Sequence, residues 1–272
     1  MTKNVTNKKV NSNNTGTKEW AESNLNIYSG CSNDCKYCYA KSMSIRFKRK
    51  NDKSWKKEEP REKMIIKNYR KRKGRIMFPS THDITPRILA NYQKTLLKLV
   101  EAGNEVLIVS KPRFNCIKEI CDNFEDHIDK ITFRFTIGSI DDSVLKFWEP
   151  NAPNFHERLS ALKYAFKKGF NTSISIEPFL DNKVHKLVTK LRPYVSDSIW
   201  IGKVNRMIGC LHTNGSRNSK TEKMAEDLQT LYDSDYKFRL YNLYKDDPII
   251  KWKDSLKKDF GIRLVTLKGA DI

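Results

Sequence analysis

Short apolar runs and helix-period patterns alternate along the chain from about residue 25 onward. Runs rich in β-branched and aromatic residues fall at 25–28, 75–80, 105–110, 131–137, 172–176 and 198–204, and each reads as a strand. Stretches 38–49, 86–102, 114–124, 156–168, 183–191 and 220–232 place apolar residues at helical spacing. Strand followed by helix, six times over, predicts parallel strands joined by crossover helices. Near-continuous runs such as Val106-Leu107-Ile108-Val109 predict strands buried on both faces. Thr85-Pro86 reads as an N-cap before a Pro at the first helical position, and Asn154 as the cap of the helix near His156. Gly103 and Gly169 suit the residue just past a helix end. No dinucleotide fingerprint follows any strand. The pattern therefore predicts an α/β fold, a partial (βα)6 TIM-type barrel with its chemistry at the C-terminal ends of the strands. Residues 1–20 read as a disordered or loosely attached tail, 21–210 as the barrel core, and 211–272 as a C-terminal helical and strand extension.

Composition narrows the class. The chain has 272 residues, 38% of them hydrophobic, enough for a buried core. No run approaches the roughly 18–20 apolar residues of a membrane span, and the first residues lack the apolar segment of a secretory signal. A cytoplasmic protein with reduced thiols is the expectation. The balance of 52 Lys and Arg against 32 Asp and Glu gives a net charge of +20, which suits a polyanionic partner or a Lys-rich composition alike.

Three of the six cysteines fall within eight residues, as Cys31-Ser-Asn-Asp-Cys35-Lys-Tyr-Cys38, in the loop after the first expected strand. Thiolates at C-x3-C-x2-C spacing can hold three irons of one [4Fe–4S] cluster and leave the fourth open. Zinc is the competing metal, but it needs a fourth ligand that no neighbouring His or Cys offers at finger spacing.

This loop resembles the signature of radical SAM enzymes. The resemblance implies that Cys31, Cys35 and Cys38 hold a [4Fe–4S] cluster whose open iron chelates S-adenosylmethionine (SAM). Reductive cleavage then yields a 5′-deoxyadenosyl radical. Several segments resemble the spore photoproduct lyase and DNA repair photolyase-like branch: Tyr28–Ala40 around the cluster loop, Ser80-Thr81-His82-Asp83, Val109-Ser110-Lys111, Arg134–Ser139, Trp148-Glu149-Pro150 with Arg158, and Ile176-Glu177-Pro178. Together they span roughly residues 20–205. Tyr37, just before the third Cys, would lie near the adenine. Lys111 suits the SAM carboxylate as a point charge. Thr136 and Ser139 could donate hydroxyl hydrogen bonds to SAM, although Ser139 could equally cap the turn at Asp141. Glu177 and Asn205 end strands where adenine would lie. Arg158 could meet a carboxylate of the cofactor or pair with Glu149 as a clasp.

The lyase needs a Cys hydrogen donor where this chain has Ser80. A hydroxyl is a poor hydrogen-atom donor beside a thiol, so the thiyl step of that enzyme cannot run unchanged here. Candidate catalytic groups are Tyr39 as a radical relay, His82 and Asp83 at the second strand end, and Cys210 as a substitute thiol; Cys116 and Cys121 read as buried helix residues.

Residues 46–75 hold 15 Lys and Arg against 4 Asp and Glu, a net of +11, with Trp55 and Tyr69 interleaved. Charge with aromatics is the pattern of a phosphate-tracking surface with stacking groups, here Lys48, Arg49, Lys50, Arg70, Lys71 and Arg72. The sequence thus points to a radical SAM enzyme acting on nucleic acid, in repair or in DNA or RNA modification. An acidic reductant protein such as flavodoxin or ferredoxin is the expected redox partner. Two alternatives stand: a radical SAM enzyme acting on a small molecule or peptide, and a zinc-stabilised nucleic-acid-binding module.

Overall fold

A computed structural model of the chain describes residues 16–265 and 267–270. Most of the expected tail therefore lies outside the described residues. Seven strands form one curled, parallel half-barrel sheet in sequential order. They are β1 (Ser23–Asn24), β2 (Ile76–Met77), β3 (Val106–Ser110), β4 (Ile131–Thr136), β5 (Asn171–Ile176), β6 (Ile199–Ile201) and β7 (Ile250–Trp252). The main helices are α1 (Tyr39–Arg46), α2 (Leu89–Glu101), α3 (Phe114–Asn123), α4 (Phe155–Lys167), α5 (Val184–Leu191) and α6 (Ser219–Asp233). A small antiparallel ribbon, Tyr28–Ser29 with Glu59–Pro60, supports the loop after β1.

Alternation explains the sheet better than continuous apolar runs do. Ile108, Phe133, Phe135, Ile174, Ile176, Ile199 and Ile201 face the helices in the main core. Their neighbours Leu107, Arg134, Thr136, Ser173, Ser175 and Trp200 take the other, concave face. That face is partly polar, as a strand lining a site must be. β2, β3 and β6 match the expectation of two apolar faces, with Met77, Leu107 and Trp200 on the concave side; β4 and β5 do not.

Three findings revise the sequence reading. The sheet continues past residue 210, because β7 pairs with β6 through Ile199–Ile250 and Ile201–Trp252. The segment 211–272 is thus partly core. Residues 16–20 are not loose: Gly16–Glu19 form a short 3-10 helix, and Trp20 is buried against the concave face. Thr85 does not cap α2, which begins at Leu89; its hydroxyl donates to the buried Glu58 at 2.9 Å. Asn154 does cap α4, accepting from the Glu157 amide at 2.8 Å.

Trp20 closes the concave side. Its ring and that of Trp200 flank the Arg134 guanidinium at 4.9 and 5.4 Å, and its carbonyl accepts from Arg75 Nη2 at 2.9 Å. Lys253, just after β7, places Nζ 4.0 Å from the Trp20 ring and 2.7 Å from Glu19. Cation–π contacts of this kind gain strength when desolvated.

Candidate active site

The cysteine loop is fixed from several sides. Gly30 has φ 95°, and a Cβ there would come 2.4 Å from the Lys57 carbonyl oxygen. Glycine is therefore needed immediately before the first cysteine. Glu58 accepts from the Ser32 hydroxyl at 2.8 Å, and Asn33 donates to Asp83 at 2.8 Å while accepting from Arg113 at 3.0 Å. Cys38 caps α1, its sulfur accepting from the Lys41 amide at 3.4 Å. Asn214, at the end of the short helix Met207–Thr213, donates to the carbonyls of Lys36 and Cys38 at 2.9 and 3.0 Å. No sequence motif singles out Asn214 or Glu58; their roles emerge only from the fold.

Cys31, Cys35 and Cys38 line one cavity of about 430 Å³ at the C-terminal ends of the strands. All six cysteines are free thiols. Burial pushes the three loop thiols up, so their ionised forms need a cation against them. Among the described residues, no three His, Cys, Asp or Glu side chains converge on a position for a single metal ion. Three thiolates at C-x3-C-x2-C spacing suit a cubane, whose ligands meet separate irons and which leaves one iron open, whereas a structural zinc takes four ligands on one ion. The donor set therefore fits a [4Fe–4S] cluster, with the rest of the cavity open to a ligand on the uncoordinated iron.

Beside the thiols, with its carboxylate accepting from the Cys31 thiol at 3.8 Å, Asp83 is held by the Lys111 amide at 2.7 Å, the Ser110 hydroxyl at 3.1 Å and Asn33. Burial opposes its ionisation, but the Lys111 ammonium and these donors outweigh it and keep the carboxyl below its ordinary range. Lys111 Nζ lies 3.9 Å from both Asp83 and Glu149, beyond hydrogen-bond reach. Burial alone would lower its value, yet the Cys35 thiol, Tyr37 and the two carboxylates hold it up. It is a cation at the cavity wall.

Behind the wall, Glu149 accepts from the Tyr37 hydroxyl and, at 2.5 Å, from Arg158. Arg158 also donates to the carbonyls of Thr136 and Pro153 at 3.2 and 2.8 Å. Arg158 is thus the clasp with Glu149 and does not line the cavity, contrary to its assignment as a cofactor contact. Ser139 likewise turns away: its hydroxyl bonds Asp181 and accepts from the Asp141 amide at 2.8 Å, capping the turn.

The structure brings the remaining cofactor candidates together. Tyr37, Lys111, Thr136, Glu177 and Asn205 all line the cavity, as do Tyr39, His82, Asp83 and Ser80. Tyr37 offers its ring only, since its hydroxyl is committed to Glu149. Burial raises Glu177, and Lys253 at 3.7 Å opposes this. Burial pushes His82 down to about 4, so it is neutral at pH 7, with Nδ1 3.1 Å from the Asp83 carbonyl. The Tyr39 hydroxyl donates to the Ser80 carbonyl at 2.6 Å, and Asn26 holds the Ser80 hydroxyl at 2.8 Å. Cys210 is buried in the helix Met207–Thr213 and does not line the cavity, so it is no substitute thiol there.

A sequence profile of the radical SAM superfamily matches residues 25–184, the segment that carries the cysteine loop and β2 to β5. The chain belongs to the radical SAM superfamily. It is an enzyme, and its cofactors are a [4Fe–4S] cluster and SAM. Two uncharacterised proteins are similar in sequence. One from Methanocaldococcus jannaschii is 26% identical over 63% of this chain and 66% of its own length. The other, from Acidianus two-tailed virus, is 29% identical over 75% and 71%. Among solved structures, a spore photoproduct lyase variant superposes with TM-score 0.53 at 14% identity, covering 83% of this radical SAM chain and 74% of the lyase. SuiB of Streptococcus suis bound to S-adenosylmethionine gives TM-score 0.52 at 12% identity, over 90% of this chain and 53% of SuiB. At these identities the likeness is one of fold.

The expected nucleic-acid residues divide. Lys48, Arg49, Arg70 and Lys71 are exposed. Arg72 is half-buried, its guanidinium 5.8 Å from the Tyr69 ring. Lys50 is buried, donating to the carbonyls of Ser54 and Lys57 at 3.1 and 2.9 Å and pairing with Glu59 at 3.1 Å. It ties the basic segment together and faces no partner. Trp55 and Tyr69 are only 2% and 8% exposed, so neither is a stacking surface.

Proposed function

We propose that this radical SAM enzyme abstracts hydrogen from a nucleic acid, in repair or in modification of DNA or RNA. The bound cluster and SAM supply the chemistry: one-electron reduction cleaves the sulfonium and provides a carbon radical that takes a hydrogen atom. The protein's own groups bind and orient. Lys111 would meet the SAM carboxylate as a point charge, and the Thr136 hydroxyl would donate beside it. Glu177 and Asn205 can meet the adenosine from the far wall. Tyr39, Ser80 and neutral His82 would face the substrate, while Asp83, 3.8 Å from the Cys31 sulfur, would brace the cluster loop. Ser80 in place of a thiol means that a product radical is not quenched as in the lyase. An acidic flavodoxin or ferredoxin is the matching reductant for so basic a surface, and the cytoplasm, where thiols stay reduced, is the matching compartment.

The observation that carries the substrate class is the exposed cationic pair Lys48 and Arg49 just after α1; Arg70 and Lys71 are exposed too, but beside Gly103 and Asn104 at the N-terminal end of β3, away from the cavity. Binding of labelled duplex and single-stranded oligonucleotides by the anaerobically prepared holoenzyme across a salt series tests it. Neutralising Lys48 and Arg49 should weaken binding and reduce the log–log salt slope by about 0.7–0.9 per lost phosphate contact. A flat salt response, or no binding at low salt, contradicts the reading and leaves a peptide or small molecule as substrate.

A further inference from the structure

With Trp55 and Tyr69 buried, any stacking platform must lie elsewhere. α1 carries Tyr39 and Met43, and Phe47 caps its C-terminal end, so the three follow at four-residue steps along one face. They are 52%, 44% and 53% exposed. Tyr39 lines the cavity, so the stripe begins at its lip. At the helical rise it runs about 12 Å outward from there. Cations flank its outer end: the guanidinium carbons of Arg46 and Arg49 lie 6.0 and 5.4 Å from the Phe47 ring centre, and Lys48 is exposed beside them.

We propose that this face of α1 is a docking track for single-stranded nucleic acid. Bases stack on Phe47 and Met43, the phosphates meet Arg46, Lys48 and Arg49, and the strand delivers one nucleotide to the cavity at Tyr39. The proposal rests on the nucleic-acid reading above and names its surface. An apolar stripe alone fits many partners; one interleaved with arginine and lysine fits a polyanion that has flat faces. Continuity with the cavity lip selects the substrate over the reductant, because a protein docked here would close the entry. A single strand suits the track better than a duplex, since a base that reacts in a pocket has to leave the stack.

Anisotropy of labelled single-stranded oligonucleotides carrying 2-aminopurine tests this on the holoenzyme and three variants. Phe47→Ala should weaken binding about ten-fold or more and relieve 2-aminopurine quenching, with the salt slope unchanged. Phe47→Trp should retain both affinity and quenching, and far-ultraviolet circular dichroism reports whether each variant is folded. Arg49→Ala should instead lower the salt slope. If the parent protein binds with a salt slope but Phe47→Ala changes neither affinity nor quenching, the track is wrong while the substrate class stands. If the parent protein binds no oligonucleotide, both fall. Loss of binding to an acidic electron-transfer protein in Phe47→Ala, with oligonucleotide binding intact, would assign the face to the reductant and overturn the proposal.

Discussion

Glu149 shows how a residue with no contact to the cavity can govern the site. It accepts from Tyr37 on one side and Arg158 on the other, and it stands 3.9 Å from Lys111. Arg158 and Glu149 are both fully buried. Removing one charge from such a pair leaves the other uncompensated, which is costlier than the pair's net stabilisation suggests. Glu149→Gln should therefore lower stability by about 3–5 kcal/mol, read as a lower urea midpoint at unchanged slope. An unchanged midpoint would mean that Arg158 has other partners enough. That Cys31, Cys35, Cys38, Lys111 and Thr136 share one cavity was legible in the sequence, because each ends or follows a recognisable apolar run. Ser139, Arg158 and Cys210 misled for one shared reason. Their neighbourhood was visible, but the direction of the side chain depends on partners such as Asp181 and Glu149, whose approach only the fold decides.

At the scale of elements, the six helices appear within a few residues of their expected places; five bury an apolar face, whereas α1 buries Ala40, Lys41 and Ser44 and exposes Tyr39 and Met43. The short elements did not announce themselves. β7 is three residues, Ile250-Lys251-Trp252, and too brief for any periodicity. β1 is Ser23–Asn24, just before the apolar run at 25–28 that had suggested it. The turn Gly16–Glu19 reads as polar tail because its function depends on one residue, Trp20, and on Lys253 far along the chain. That segment has an energetic consequence. Trp20→Ala would open a cavity beside Arg134 and Trp200 and should cost about 3–5 kcal/mol in chemical denaturation. A loss below about 1 kcal/mol would show that residues 16–20 only rest on the barrel.

Across the whole molecule, the charge of +20 is unevenly used. Part of the basic segment is internal scaffolding, as Lys50 shows, and part is exposed; of the exposed part, Arg70 and Lys71 sit beside Gly103 and Asn104 at the N-terminal end of β3, away from the cavity. The segment's net charge was legible in the sequence; the split was not, because short helices at Asp52–Trp55 and Glu62–Ile66 fold its aromatics inward. No helix among the described residues is long and apolar enough to cross a membrane. A half-barrel of parallel strands thus presents three thiols, a cation and a polar concave wall to one cavity, with the half-exposed Tyr39 at its lip. The most direct test is anaerobic incubation of the cluster-loaded enzyme with SAM, dithionite and a deuterated oligonucleotide, followed by mass spectrometry. The account predicts 5′-deoxyadenosine that carries deuterium from the oligonucleotide, and none from a folded Cys35→Ala variant. No 5′-deoxyadenosine from the loaded enzyme, or equal yields from the variant, would contradict it.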